Sequence, residues 1–333
     1  MFRVASSLKR SLYFDNAKFI LIFLVVFGHV ISPLKENNDV LFSLYSFIFL
    51  FHMPAFIFIS GYFSKGYNKK GYFMKVAKKI LLPYLIFQAL YSLFYYADGE
   101  ISSLRIDFLK PHWTLWYLLS MCCWNLFLYV FAKLKWKGFI LAVAIGIGIG
   151  YFDHAGSYLS LSRTLVFFPY FLLGFLIEQK HLRAVLNKRF SPVVGVSILV
   201  LSLLILASFF PKDDIPWLLG DTSYAGMGVK DLSGGFIRSI QYVLTGFVAY
   251  GFLSIVPTKG NLFTFVGGRT LYIYLMHGFI IKSIQQIISD ETLRDFSDHY
   301  IMLILFSLAI CLFLGSYMIK KYTRPIIELD YRL

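Results

Sequence analysis

The chain has 333 residues, of which 58% are apolar, 19% aromatic and only 15% charged, with a net charge of +14. That much apolar surface exceeds what a soluble core of this size hides, so the composition excludes an ordinary soluble domain and predicts an all-α polytopic membrane protein. The surplus of Lys and Arg falls in short clusters between apolar runs and not on one soluble face, so nucleic acid is not an expected partner and the charge reads as a topology signal.

A crossing helix needs roughly 20 apolar residues. On that rule ten transmembrane helices are expected, at 18–34, 41–63, 80–97, 112–132, 138–152, 164–178, 192–210, 235–256, 269–288 and 300–319. The fifth and sixth are short for full spans, and a re-entrant pair would leave the sidedness of the rest unchanged. Cys122, Cys123 and Cys311 lie in apolar runs, so no extracellular disulfide framework is implied. Small-residue cleavage chemistry does not follow the first run, so no cleavable signal is expected.

The connecting segments alternate in charge. Arg3, Lys9 and Arg10 precede the first helix, Lys65, Lys69, Lys70, Lys75, Lys78 and Lys79 follow the second, and Lys133, Lys135 and Lys137 follow the fourth. Lys180, Arg183, Lys188 and Arg189 follow the sixth, and Lys320, Lys321, Arg324 and Arg332 the last. By the positive-inside rule these segments and both termini face the cytoplasm. The intervening loops carry acidic residues, among them Glu36, Asp39, Asp107, Asp221, Asp290 and Glu291, and face outward. The longest outer loop, 211–234, is too short to fold alone. A single integral membrane domain over 1–333 is therefore expected, without the internal repeat of many transporters.

Within the first helix stand Lys18 and, eleven residues on, His29. Ionisable side chains at bilayer depth are costly and usually functional. Eleven steps cover roughly 16 Å and about three turns, which stacks the two on one face and sets the imidazole near or just beyond the bilayer midplane. Asp15, three residues before Lys18, is placed to pair with it.

Several segments match one family in order. Tyr13-Phe14-Asp15-Asn16-Ala17-Lys18 with His29 gives a basic residue, ten positions and a histidine. There follow Phe51-His52-Met53-Pro54-Ala55-Phe56 with Ser60-Gly61-Tyr62-Phe63, then Lys75, Lys78 and Lys79 before Pro83-Tyr84, then His112-Trp113-Thr114-Leu115-Trp116. Arg163 with Phe168-Pro169-Tyr170, and Leu271-Tyr272-Ile273-Tyr274-Leu275-Met276-His277, complete the set. Together these resemble the membrane-bound acyltransferase-3 family, most nearly its fucose 4-O-acetylase-like branch. One departure is that lysines stand where the family's third helix commonly has arginines, which replaces bidentate phosphate recognition with point charge.

The resemblance implies transfer of an acyl group, usually acetyl from acetyl-CoA in the cytoplasm, to a hydroxyl of a surface or lipid-linked glycan, by a multi-pass protein of the plasma membrane. Such transfer needs a base for the hydroxyl proton, and imidazole, titrating near neutrality, suits the task. His29 is the expected general base, with an acyl-histidine relay as the variant if donor and acceptor lie too far apart. Lys18 would orient the donor, restrained by Asp15, and Lys75, Lys78 and Lys79 would attract its phosphates. On the acceptor side His52, some 16 Å into the second helix, is as well read as a structural hydrogen-bond partner. Arg163 is as well read as a snorkelling boundary arginine. Trp116 is placed to stack on a ring, Trp113 reads more as interfacial belt, and His277 as a supporting group near the acceptor. Ser60 and Gly61 suit close helix packing. No metal-ligand pair, phosphate-binding Gly loop or serine elbow is seen, so no metal is expected. The competing reading is a glycan or anion transporter that uses His29 and Lys18 as a proton relay.

Overall fold

The computed structural model describes residues 12–153, 156, 158–186, 190–288 and 295–329. Of the topology signals, Arg3, Lys9, Arg10, Lys188, Arg189, Asp290, Glu291 and Arg332 lie outside the described residues, as does the side chain of Arg183. Every regular element among the described residues is helical. Seven helices are long and apolar enough to cross a bilayer, or eight if Tyr300–Leu314 and Tyr317–Ile327, bent by 61°, form one broken span. With no water in the hydrocarbon, only such internally hydrogen-bonded elements or closed barrels span it, so the chain is a multi-pass membrane protein.

Helix α1 (Leu12–Ile31) is already helical at the first described residue, six before the expected boundary, and ends three before it. Ser32-Pro33 stops it, because the ring of Pro33 disfavours the helical region for the residue before it. Helix α2 (Asp39–Phe63) is capped by Asn38, whose side-chain oxygen accepts from the backbone N–H of Val40 and Leu41. The Asn38 amide also donates to Asp298 at 2.9 Å, and Lys212 pairs with Asp39 at 2.9 Å. Three loops expected to face outward thus meet on one side of the bundle.

The third span is compound. Helix α3 (Tyr72–Val76) runs through a π-helical turn at Ala77–Leu81 into α4 (Leu82–Ala97). Pro83 lacks an N–H and its ring would press on the carbonyl four residues back, so the wider turn directly before it absorbs the mismatch.

Helix α5 (Trp116–Gly148) consists of two helical stretches that meet at Lys135, whose backbone is non-helical (φ 51, ψ −128). In a straight helix Trp124 and Gly146 would stand about 33 Å apart. Instead Trp124 Nε1 donates to Thr164 O at 2.7 Å, and a Cβ on Gly146 would sit 3.0 Å from Leu165 O. Both halves therefore pack on one turn of α6 (Leu161–Leu176), and α5 folds back on itself at Lys135, inside the expected 133–137 connection.

Helices α2 and α6 cross at a small-residue contact. A Cβ on Gly61 would collide with the backbone carbonyl of Phe171, and one on Gly174 with that of Phe58. The glycines let the two backbones touch, the usual way membrane helices associate when lipid is as apolar as the side chains. Outside this core, α7 (Gln179–Leu186) leads to α8 (Ser191–Phe209), of which only 17% is buried. Its exposed Val193, Val196, Leu201, Leu204 and Ile205 present an all-round apolar surface suited to lipid. Next come short α9 (Ile215–Leu219), α10 (Ser233–Ile255), short α11 (Thr264–Gly267), α12 (Thr270–Ile287), α13 (Tyr300–Leu314) and α14 (Tyr317–Ile327).

Candidate active site

His29 occupies the last turn of α1, two residues from its end. The earlier stop of α1 therefore places it nearer that end of the helix, the one away from Lys18. There it faces a cavity of about 240 Å³ whose walls include Tyr45, Phe49, His52, Trp116 and Arg163. Among the described residues no carboxylate lines this cavity, and no hydrogen bond to the His29 ring is found. Its contacts are aromatic: the ring centroid lies 4.4 Å from Trp113, 5.9 Å from Phe49 and 5.6 Å from His277.

Each neighbour is fixed by local structure. Trp113 has a left-handed backbone (φ 40), which is strained for a bulky residue, and its indole fills the space left by Gly278. His52 donates from Nδ1 to Ile48 O at 2.7 Å, and Phe49 stands between it and His29 with its ring 4.8 Å from that of His52. His52 thus lines the same cavity as His29, with Phe49 in ring contact with both. Arg163 stacks its guanidinium 5.3 Å over Trp116, donates from Nε to Leu219 O at 3.2 Å and is ion-paired with Asp221. The contact to Leu219 ties Arg163 to α9, whose Leu218 and Leu219 roof the cavity. Trp217 O in the same helix accepts from Arg238 at 2.9 Å and Gln241 at 2.7 Å, which pins the roof from α10.

The floor toward Lys18 is apolar, formed by Val25 and Met53. Lys18 itself pairs with Asp15 at 2.8 Å, as anticipated, and lies 5.9 Å over the ring of Phe63. Phe63 is also on the wall of a second, open pocket of about 600 Å³ lined by Lys65, Lys69, Lys70 and Lys75. Lys75 lines this pocket, whereas Lys78 and Lys79 are exposed on the π-helical turn and are not part of its lining. Lys65 is partly committed, donating to Ile177 O, and burial holds its ammonium below the usual lysine range while Glu178 opposes the shift.

A model of the acyltransferase domain matches residues 11–316. The chain belongs to the acyltransferase-3 family. Nodulation protein NolL of Sinorhizobium fredii is 32% identical to it over 192 residues, and NolL of Mesorhizobium japonicum 31% identical over 192 residues. Each alignment takes in 53% of this chain and 50% of the relative, so the chain spans about half the length of the curated relatives it matches. No solved structure matches. The family match takes in every candidate site residue, from Asp15 to His277, and among the described residues no group of side chains is arranged to hold a metal.

Tyr45, Phe49 and Tyr274 line the cavity and were not anticipated there, and Trp113, which read more as an interfacial anchor, lines it too. Asp221, which registered only as an outward-facing charge, stands behind Arg163 as its ion-pair partner. The Arg163–Asp221 pair carries an expected result. Asp221→Asn removes the countercharge that holds the guanidinium, so initial-rate kinetics should show an apparent acceptor KM raised about tenfold, the effect of roughly 1.4 kcal/mol. The donor KM should stay within about twofold, since a change at this end of the bundle leaves uniform donor binding untouched.

Proposed function

We propose that this chain is a membrane O-acyltransferase that moves an acyl group, most simply acetyl, from acyl-CoA in the cytoplasm to a hydroxyl of a cell-surface or lipid-linked glycan. The observation that carries the reading is His29, uncommitted among the described residues, facing a cavity at one end of α1 while Lys18 and a lysine-lined pocket stand at the other. The fucose 4-O-acetylase-like branch remains the narrower likeness.

The topology of the proposal has ten crossings in a single domain over 1–333, with both termini cytoplasmic and the protein in the plasma membrane. The count treats the two halves of α5 as separate spans and adds α12 and α13 to the apolar helices. It sets the lysine pocket on the cytoplasmic side and the His29 cavity toward the outer face, under a roof of outward-facing loop.

In the reaction, the acceptor hydroxyl oxygen bonds to the acyl carbon as the carbon–sulfur bond breaks. His29 takes the hydroxyl proton and passes it to the departing thiolate sulfur, so the products are an ester and free thiol. Lys65, Lys69, Lys70 and Lys75 hold the donor's phosphates by charge, and Lys18, restrained by Asp15, orients the arm that leads toward Val25 and Met53. Arg163, Trp116, His52 and His277 surround the acceptor end. A direct transfer requires the thioester to pass the floor, where Met53 is a flexible side chain suited to yield.

Family membership supports an enzyme over the transporter reading, as does a cavity without the carboxylates of a proton path. The triple substitution Lys69→Gln, Lys70→Gln, Lys75→Gln should raise the apparent acyl-CoA KM about tenfold or more with turnover retained, because it removes three charges opposite a polyanion. An unchanged donor KM returns the cluster to topology alone. Mass spectrometry of envelope polysaccharide from cells with and without the gene tests the function itself. Loss of one ester-linked acyl group is expected, and identical glycans would contradict the proposal.

A further inference from the structure

His277 is completely buried on α12, and its Nδ1 donates to Ile273 O at 2.9 Å. A carbonyl only accepts, so Nδ1 carries the proton and Nε2 of the neutral ring presents a lone pair. That Nε2 is buried and has no hydrogen-bond partner. Native structures satisfy nearly all buried polar atoms, so an orphaned one calls for an explanation.

The surroundings supply one. The His29 and His277 rings lie 5.6 Å apart, centre to centre, at an interplanar angle of 35°. Two imidazoles joined by an N–H···N bond of about 3 Å have centres about 5.3 Å apart, a few tenths of an ångström closer. Trp113 lies against both rings, at 4.4 Å and 5.3 Å, and walls them in together. No His29–His52 ring contact is found among the described residues, and His52 has no orphaned ring nitrogen of this kind.

We propose that Nε2 of His277 is the acceptor for the ring N–H of His29, which makes His277 the positioning residue of the base. The inference rests on His29 as base and deepens that reading. With one nitrogen of His29 donating to His277, the other is left unprotonated and turned to the cavity, the tautomer that can take a hydroxyl proton. When that proton arrives, the imidazolium shares its charge with His277 through the same hydrogen bond. The proton then leaves to the thiolate, and His277 keeps its own proton on Ile273 throughout. A general base held in one tautomer by a second group is the logic of catalytic triads, here built from two histidines on α1 and α12.

The test uses the full-length protein in proteoliposomes, with radiolabelled acetyl-CoA and envelope glycan from cells lacking the gene as probes. His277→Leu fills the site without an acceptor, and His277→Gln returns an oxygen near the Nε2 position. Leu is expected to lower kcat about 30-fold or more while the acetyl-CoA KM stays within about twofold, and Gln to recover at least a third of the lost logarithm of rate. The double substitution His29→Ala with His277→Leu is expected to be no slower than His29→Ala alone. Turnover of His277→Leu within threefold of the wild type would overturn the proposal, as would equal losses in Leu and Gln from protein that elutes as a folded species. Activity retained in His29→Ala would instead sink the reading of the base itself, so the two failures are distinguishable.

Discussion

His29→Ala is expected to abolish acyl transfer, with turnover falling roughly 10²–10⁴-fold, the span general base catalysis supplies. The imidazole stands at the cavity surface with no described hydrogen bond, and no carboxylate among the described residues lines the cavity to replace it. Because His29 makes ring contacts to Trp113 and Phe49 and no described hydrogen bond, its truncation removes little that holds the bundle together. The protein should insert, extract and elute as the wild type does. Donor binding should also survive, because the lysine pocket lies at the other end of α1. Radiolabel transfer and donor binding measured on one preparation check both halves. Near-normal transfer would remove His29 from the chemistry.

The second large effect is structural. Gly174→Val should cost about 3 kcal/mol or more, at the upper end of the overpacking range, because the obstacle is backbone and cannot rotate away. The methyl groups would run into the Phe58 carbonyl, and Gly61→Val would meet the Phe171 carbonyl from the other side of the same crossing. Either change pushes α2 off α6 and carries His52 and Arg163, which stand on those helices, out of register. Thermal unfolding in detergent should show a clearly lowered midpoint for both, and Gly246→Ala, where an added Cβ meets nothing, should be neutral. A wild-type midpoint for Gly174→Val would mean that the crossing is looser than described.

Much of this was legible in the chain. Apolar runs of bilayer length located the helices, since hydrocarbon tolerates little else, and Gly61 announced the close crossing. The Lys18–Asp15 pair followed from spacing alone, because residues three apart on a helix must meet. What could not be read was whatever depends on a boundary or on a long-range approach. Helix α1 stops at Ile31, three residues before the expected boundary, so His29 sits nearer its end. The reversal at Lys135, by contrast, falls inside the expected 133–137 connection, which its lysines marked. Trp113 and Tyr274 join the site because α5 and α12 converge, with Tyr274 donating to Thr114 O, and nothing local to either residue signals that meeting. Lys78 and Lys79 stand on the π-helical turn before Pro83 and are not part of the lining of the pocket that Lys75 reaches.

The most direct test of a transfer across the bilayer is a sided assay. Purified protein is reconstituted in one orientation, with radiolabelled acetyl-CoA confined to the lysine-rich face and envelope glycan to the other. Label appearing as ester on the glycan, lost in His29→Ala, is the predicted result. Glycan that crosses the membrane unmodified, or label that moves only when both substrates share one compartment, would contradict it.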